Sequence, residues 1–370
     1  MAYEQTQADF ENALSTQFDS ETRAQILAAL DAQGIGGAPS DTLTIETYDN
    51  PGGFQPLPED AVLVLPDGQT YVDSTGNHVI IAPEGDQALL LAGGNTESQT
   101  SVFAGDGNDV VTNWGQSQAT IYGGGGDDTL RSDGAGNNLL DGGDDNDTLV
   151  SNSGAGDTLH GGDGNDTFYS LVGNTLIYGD AGDDAIYSRG AEGHDTLYGG
   201  LGDDIIRSEG GGFTLVYGDE GNDDLTSIVT GHDTLYGGTG DDTLTSMAGN
   251  SVLYGGDDND TLITNGLGHD TLYGGAGDDH FEIVSGGDNH LFGDAGNDNF
   301  TIFTHSGNDT IEGGTGTNEL TLFGRNEADA SFTVDGSDPT ITHITFGDGQ
   351  DISVKDIQTI HFADKDHPIT

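Results

Sequence analysis

Between residues 104 and 320, large apolar residues stand almost alone, each set among short polar stretches rich in glycine and aspartate. They fall into two interleaved series. One runs Val111, Leu130, Leu149, Phe168, Ile186, Ile206, Leu225, Leu244, Leu262, Phe281 and Phe300. The other runs Ile121, Leu140, Leu159, Ile177, Leu197, Val216, Leu235, Leu253, Leu272, Leu291 and Ile311. An apolar residue with outward neighbours on both sides has the alternation of a half-buried strand. Successive members of either series are 18 to 20 residues apart. The pattern therefore predicts an all-β solenoid with two short strands per turn, each burying one large side chain.

The polar stretches before the first series share the form GGxGxDxUx, with U the large apolar residue. They read AGDGNDVV (104–111), GGGGDDTL (123–130), GGDDNDTL (142–149), GGDGNDTF (161–168), GDAGDDAI (179–186) and GGLGDDII (199–206). GDEGNDDL (218–225), GGTGDDTL (237–244), GGDDNDTL (255–262), GGAGDDHF (274–281) and GDAGNDNF (293–300) continue them. The sixth-position acids are Asp109, Asp128, Asp147, Asp166, Asp184, Asp204, Asp223, Asp242, Asp260, Asp279 and Asp298; in a twelfth block, GGTGTNEL (313–320), Asn318 stands there instead. Glycines at positions one, two and four permit positive φ and close backbone approach. Where position four lacks glycine it holds Asp145 or Asp258, among the few side chains that tolerate the left-handed region.

A second, weaker motif precedes the other series. GHDTLY recurs at 193–198, 231–236 and 268–273, with GDTLH at 156–160 and GNDTI at 307–311. Intervening turns (GNTLIY, GGFTLVY, GNSVLY) keep the apolar residue and lose the acid. One edge of the solenoid thus carries an aspartate in almost every turn. The other carries Asp157, Asp195, Asp233, Asp270 and Asp309, roughly one per two turns.

Charge makes this spacing consequential. Seven Lys and Arg face 65 Asp and Glu in 370 residues, a formal charge of −58. Nucleic acid and anionic membranes are poor partners for such a chain, and self-repulsion opposes its compaction. Two inward side chains per turn make a thin core against the entropy of ordering a whole turn. Stacking aspartates about 4.8 Å apart adds repulsion. A hard divalent cation with flexible oxygen coordination, Ca²⁺, resolves both problems, and its binding then becomes folding energy. There is no cysteine, so neither disulfides nor thiolate zinc sites are available.

At these blocks the sequence resembles the RTX (repeat-in-toxin) nonapeptide family, over about residues 104–320. The resemblance implies a right-handed parallel β-roll with ions between neighbouring loops, ten or more in all. Sixth-position carboxylates and loop carbonyls would be the ligands. That role carries over to Asp109 through Asp298 as named above, and to Asp157, Asp195, Asp233, Asp270 and Asp309 as weaker candidates on the second edge. Asn318 departs from the pattern and puts the last site in question. The resemblance also implies type I secretion from an uncleaved C-terminal signal. The N-terminus has neither a basic start nor an apolar run and does not read as a cleavable signal peptide. No run of 18 apolar residues predicts a membrane span.

Outside the roll, residues 1–34 read as a short helical segment. Phe10, Leu14 and Phe18 form one apolar face and Ile26, Leu27 and Leu30 another, with Asp19 or Ser20 as cap. Residues 35–60 read as a linker. Residues 61–103 read as an N-terminal β cap, with AVLVLPDGQTYV (61–72) patterned as a hairpin and HVIIA and ALLLA as leading solenoid turns. Residues 321–370 read as a β-rich C-terminal cap and secretion-signal region.

No GxSxG, HExxH, Walker or Rossmann motif appears in the chain, so the expectation is a non-enzyme. His194, His232 and His269 recur every second turn and read as solvent-facing loop residues. A column of Tyr122, Tyr178, Tyr198, Tyr217, Tyr236, Tyr254, Tyr273 and Phe292 reads as outward stacking. Ser132, Ser151, Ser170, Ser188, Ser208, Ser227 and Ser246 read as a structural hydroxyl ladder. The function expected is a secreted, self-associating structural protein of an extracellular layer, matrix or filament. The alternatives are a surface adhesin binding a cell-surface glycan, or a non-catalytic remnant of an exoenzyme or toxin. Position three of the blocks varies too much to present the flat threonine array of an ice binder.

Overall fold

The computed structural model describes residues 2–6, 20–32, 42–47, 61–64, 70–73, 78–82, 85–92, 98–153, 156–190, 194–228, 232–247, 249–303 and 307–369. The chain forms two compact units, Met1–Ala181 and Gly182–Thr370. Each is a parallel β-solenoid, as the apolar period predicts.

In the first unit one ladder runs through Ala61–Val64, His78–Ile81, Gln99–Asp106, Gln118–Gly125, Leu139–Asp144, Thr158–Asp163 and Leu176–Ala181, every step parallel. The second runs through Thr70–Asp73, Ala88–Leu91, Val110–Asn113, Thr129–Ser132, Thr148–Ser151 and Thr167–Ser170. Each member of the two apolar series in this unit is fully buried.

Three expectations for the N-terminal region change. Thr42–Thr47, inside the stretch read as linker, is a strand that pairs in parallel with Ala61–Val64. It also pairs antiparallel with Ala2–Thr6, a strand at the start of the segment read as helical. Ala61–Val64 and Thr70–Asp73 are not a hairpin, because each pairs with a different ladder, as one turn of a solenoid does. The helix over Phe10, Leu14 and Phe18, the cap at Asp19 and the 66–68 turn lie outside the described residues. The helix Ser20–Ala32 is present. Its Ile26 and Leu30 are buried against Val62, Val79, Ile81 and Phe103, covering the first turns with an apolar face.

In the second unit the ladders are Ala185–Ser188 through Glu319–Leu322 to Thr359–His361, and Thr196–Leu201 through Thr310–Glu312 to Asp351–Lys355. The last parallel turn is closed by antiparallel strands. Thr342–Phe346 and Ala330–Val334 follow Asp351–Lys355, and Asp366–Pro368 follows Thr359–His361. Reversing direction there ends the parallel template and covers the last edge.

The short strands bury two positions rather than one. In Thr129–Ser132 the inward residues are Leu130 and Ser132, and in Leu139–Asp144 they are Leu140 and Gly142. A cross-section therefore has apolar side chains at its centre. Aspartate and glycine sit at one edge, serine and a second polar residue at the other.

Candidate metal-binding edge

The loop geometry starts with backbone sign. Positions two and four take positive φ, as at Gly124 (118°) and Gly126 (107°). Asp145 (78°) and Asp258 (77°) adopt it where glycine is missing at position four, as do Asp180, Asp219 and Asp294 at position two. The first glycine is different. Gly123, Gly142 and Gly161 have ordinary φ, so conformation does not require them. Space does: a Cβ on Gly123 would strike Asp128 Oδ2 and the carbonyl oxygen of Gly142.

That collision locates the site. The sixth-position aspartates are buried, each at 2% exposure or less. Oδ1 accepts the backbone N–H of the aspartate one turn earlier: Asp128 from Asp109 at 2.7 Å, Asp147 from Asp128 at 2.7 Å, Asp223 from Asp204 at 2.8 Å. Gln87 supplies the N–H for Asp109 at 2.6 Å. Oδ2 turns inward and has no hydrogen-bond partner in Asp109, Asp128, Asp147, Asp166, Asp184, Asp204, Asp223, Asp242, Asp260, Asp279 or Asp298.

Nine of these Oδ2 atoms share their cradle with the carbonyl of the next turn's first glycine. In the first unit the pairs are Asp128 with Gly142, Asp147 with Gly161 and Asp166 with Gly179. In the second they are Asp204 with Gly218, Asp223 with Gly237, Asp242 with Gly255, Asp260 with Gly274, Asp279 with Gly293 and Asp298 with Gly313. Ala104 occupies the first-glycine position beside Asp109, so that turn has a methyl where the others have room.

A buried, unpartnered carboxylate oxygen facing carbonyl oxygens is costly. Burial pushes Asp128 and Asp260 up to about 8, and Asp109, Asp147, Asp204, Asp242 and Asp298 up to about 7. Asp166, Asp223 and Asp279 rise to about 6 by the same cause. The backbone hydrogen bond to Oδ1 opposes the rise, and neighbouring carboxylates add to it. Among the described residues no three His, Cys, Asp or Glu side chains converge. Any ion on this edge must take most of its shell from backbone carbonyls. All-oxygen donors, partly carboxylate and partly carbonyl, suit calcium.

The sequence carries this signature. The profile of the RTX calcium-binding nonapeptide repeat matches residues 122–156, 160–191, 187–212, 229–262, 254–282 and 283–320. The chain carries RTX calcium-binding nonapeptide repeats. Its repeats bind calcium, and its solenoid is the fold the resemblance implied. A search of curated proteins finds no match. Among solved structures, a crystal structure of a hyperactive, Ca²⁺-dependent, β-helical antifreeze protein from an Antarctic bacterium is similar at 16% identity. The alignment covers 89% of this chain and 95% of that one, with a TM-score of 0.35.

The second edge of this RTX chain is built from different contacts. Asp157 Oδ1 accepts the Asn138 N–H at 2.9 Å, and its Oδ2 accepts the Ser151 and Ser153 hydroxyls at 2.8 and 2.7 Å. Ser188 donates to Asp195 at 2.6 Å and Ser227 to Asp233 at 2.7 Å. Asp270 takes the Ser246 hydroxyl at 3.2 Å and that of Thr264. Asp309 accepts both the backbone and side-chain N–H of Asn289 at 3.0 Å. None of these five has an orphaned oxygen among the buried atoms. The serine ladder and the second-edge aspartates, separate features in the sequence, are one hydrogen-bonded network.

A third polar column escaped the motif reading. Position five, always Asn or Asp in the eleven blocks with a sixth-position aspartate, accepts through Oδ1 the N–H of the following turn: Asn165 to Asn146 at 2.9 Å, Asn222 to Asp203 at 2.8 Å, Asn297 to Asp278 at 2.7 Å. Its uniform residue type was the available signal. The loop histidines do not converge. Nδ1 of His194, His232 and His269 lies 3.3, 3.1 and 3.1 Å from the carbonyls of Phe213, Asn250 and Asp288. The rings Tyr198, Tyr217, Tyr236, Tyr254, Tyr273 and Phe292 stack at 4.7–4.9 Å, so their faces cover one another.

Proposed function

We propose that this is a secreted, non-catalytic calcium-binding structural protein whose calcium-driven folding builds an extracellular layer, matrix or filament by self-association. The observation that carries the reading is the row of buried, unpartnered Oδ2 atoms on the first edge, nine of them beside a glycine carbonyl. Asp109, Asp128, Asp147, Asp166, Asp184, Asp204, Asp223, Asp242, Asp260, Asp279 and Asp298 are the proposed ligands. Calcium would supply there the positive charge that these oxygens lack. The second-edge candidates Asp157, Asp195, Asp233, Asp270 and Asp309 are better accounted for as acceptors of serine, threonine, asparagine and backbone donors, so the proposal places ions on one edge only.

Self-association is supported by how much of the chain the repeats occupy and by the charge. A net charge of −58 keeps metal-free chains apart, and ion binding reduces that repulsion. Secretion is supported by the RTX repeats, and external calcium would then trigger folding after export. Among the described residues no helix is long and apolar enough to cross a membrane. Light scattering and electron microscopy of the purified chain in millimolar Ca²⁺ test the assembly reading. Ordered polymers are expected, and a persistent monomer contradicts it.

A further inference from the structure

The surface of the first unit holds one feature that the calcium edge does not use. A groove of about 640 Å³ lies between the helix Ser20–Ala32 and the ladder face formed by Gln99–Asp106, Gln118–Gly125, Leu139–Asp144 and Thr158–Asp163. The helix turns Ile26 and Leu30 into the core. It turns Gln25 and two alanines toward the groove. Those small side chains leave space where a larger residue would close the helix onto the sheet.

We propose that this groove binds a neutral oligosaccharide. Among the described residues its lining contains no charged side chain, although the chain carries 65 acids. Gln25, Gln118, Asn137, Thr120 and Thr158 line it instead. Amides and hydroxyls each offer both donors and acceptors, which is what the hydroxyls of a sugar require. A carboxylate ligand would find no counter-charge here, and a polyanion would be repelled by the whole molecule.

Tyr122 adds the apolar component. One face of its ring stacks on Phe103 at 4.8 Å. Its partner in the next strand is Asp141, whose charge adds to burial in raising the Tyr122 hydroxyl above its ordinary pKa, so a carboxylate rather than a second ring borders the other face. A half-covered aromatic ring beside hydrogen-bonding groups suits the C–H face of a pyranose. The groove crosses four adjacent strands, about 14 Å at the usual strand spacing, which is the reach of a short oligosaccharide. The floor is fixed in shape: Asn138 accepts the Ala119 N–H at 2.7 Å and donates to Ser132 at 2.7 Å. Glycan binding here is independent of self-association, and either can fail alone.

The test uses the full calcium-loaded chain against immobilised gluco-, manno- and galacto-configured neutral oligosaccharides, with oligogalacturonate as the anionic probe. Saturable binding of at least one neutral probe and none of oligogalacturonate is expected. Gln118→Ala is expected to weaken binding about fivefold and Tyr122→Ala about tenfold, with the circular dichroism of the loaded protein unchanged for Gln118→Ala. The proposal is overturned if no neutral probe binds, if the anionic probe binds as well, or if Gln118→Ala binds as the wild type does.

Discussion

Asn318 donates through Nδ2 to the carbonyl oxygen of Asp356 at 3.1 Å. In the same register position the aspartates above it leave Oδ2 without a partner. Its Oδ1 still accepts the Asp298 N–H at 2.9 Å. The one departure from the sixth-position aspartate thus closes the row with a donor, so the last turn is satisfied by the C-terminal cap. Asn318→Asp would replace that donor with a buried, unpaired oxygen. At a fixed calcium concentration that keeps the wild type folded, the variant is expected to lose about 1–3 kcal/mol, read as a lower midpoint in urea.

The two edges separate in a matched pair of substitutions. Asp223→Asn places an amide beside the Gly237 carbonyl, as Asn318 does beside Asp356, and is expected to remove about one ion from the loaded protein. Asp233→Asn makes the same change in charge on the serine-bonded edge and is expected to leave the ion count unchanged. Native mass spectrometry in calcium distinguishes them. Equal losses from both variants would show that both edges bind.

Gly237 tests the cradle itself. Its φ is ordinary, so Gly237→Ala carries no backbone penalty of the left-handed kind. The added methyl meets Asp242 Oδ2 and the Gly255 carbonyl. An overpacking cost of about 1–3 kcal/mol is expected, together with a reduced ion count by the same mass measurement.

Acidity should partly replace calcium. In the fold these aspartates sit at about 6 to 8, against an ordinary 3.8. Between those values the folded chain holds protons that the unfolded chain releases, so metal-free stability is greatest at low pH and is lost as pH rises through the folded values. With chelator, the β-signal in circular dichroism is expected to be stronger near about pH 5 than near about pH 8. With calcium the order reverses, because ion and proton compete for the same oxygens.

Much of this was legible in the sequence, because a period of 18 to 20 residues places the same residue type at the same point of every turn. The two apolar series and the positive φ of Asp145 and Asp258 follow from local chemistry and appear as read. The function of the first glycine was not legible. Spacing shows that Gly123 is small, but only the fold shows Asp128 Oδ2 pressed against it. The pairing of Ser227 with Asp233 was also hidden: the two lie six residues apart around a bend, and each column had a self-sufficient reading. At the N-terminus, Thr42–Thr47 carries the alternation of a strand, with Leu43 and Ile45 between polar residues, but it sits among Gly and Pro outside the repeat, and that setting favoured the linker reading.

On this reading, calcium on the first edge holds the fold together at neutral pH. A calcium titration of the purified chain, followed by far-ultraviolet circular dichroism from chelator to saturation, tests it most directly. A largely disordered spectrum in chelator and a cooperative rise of β-signal with added Ca²⁺ are expected. A full β-spectrum in chelator at neutral pH, unchanged by calcium, would contradict it.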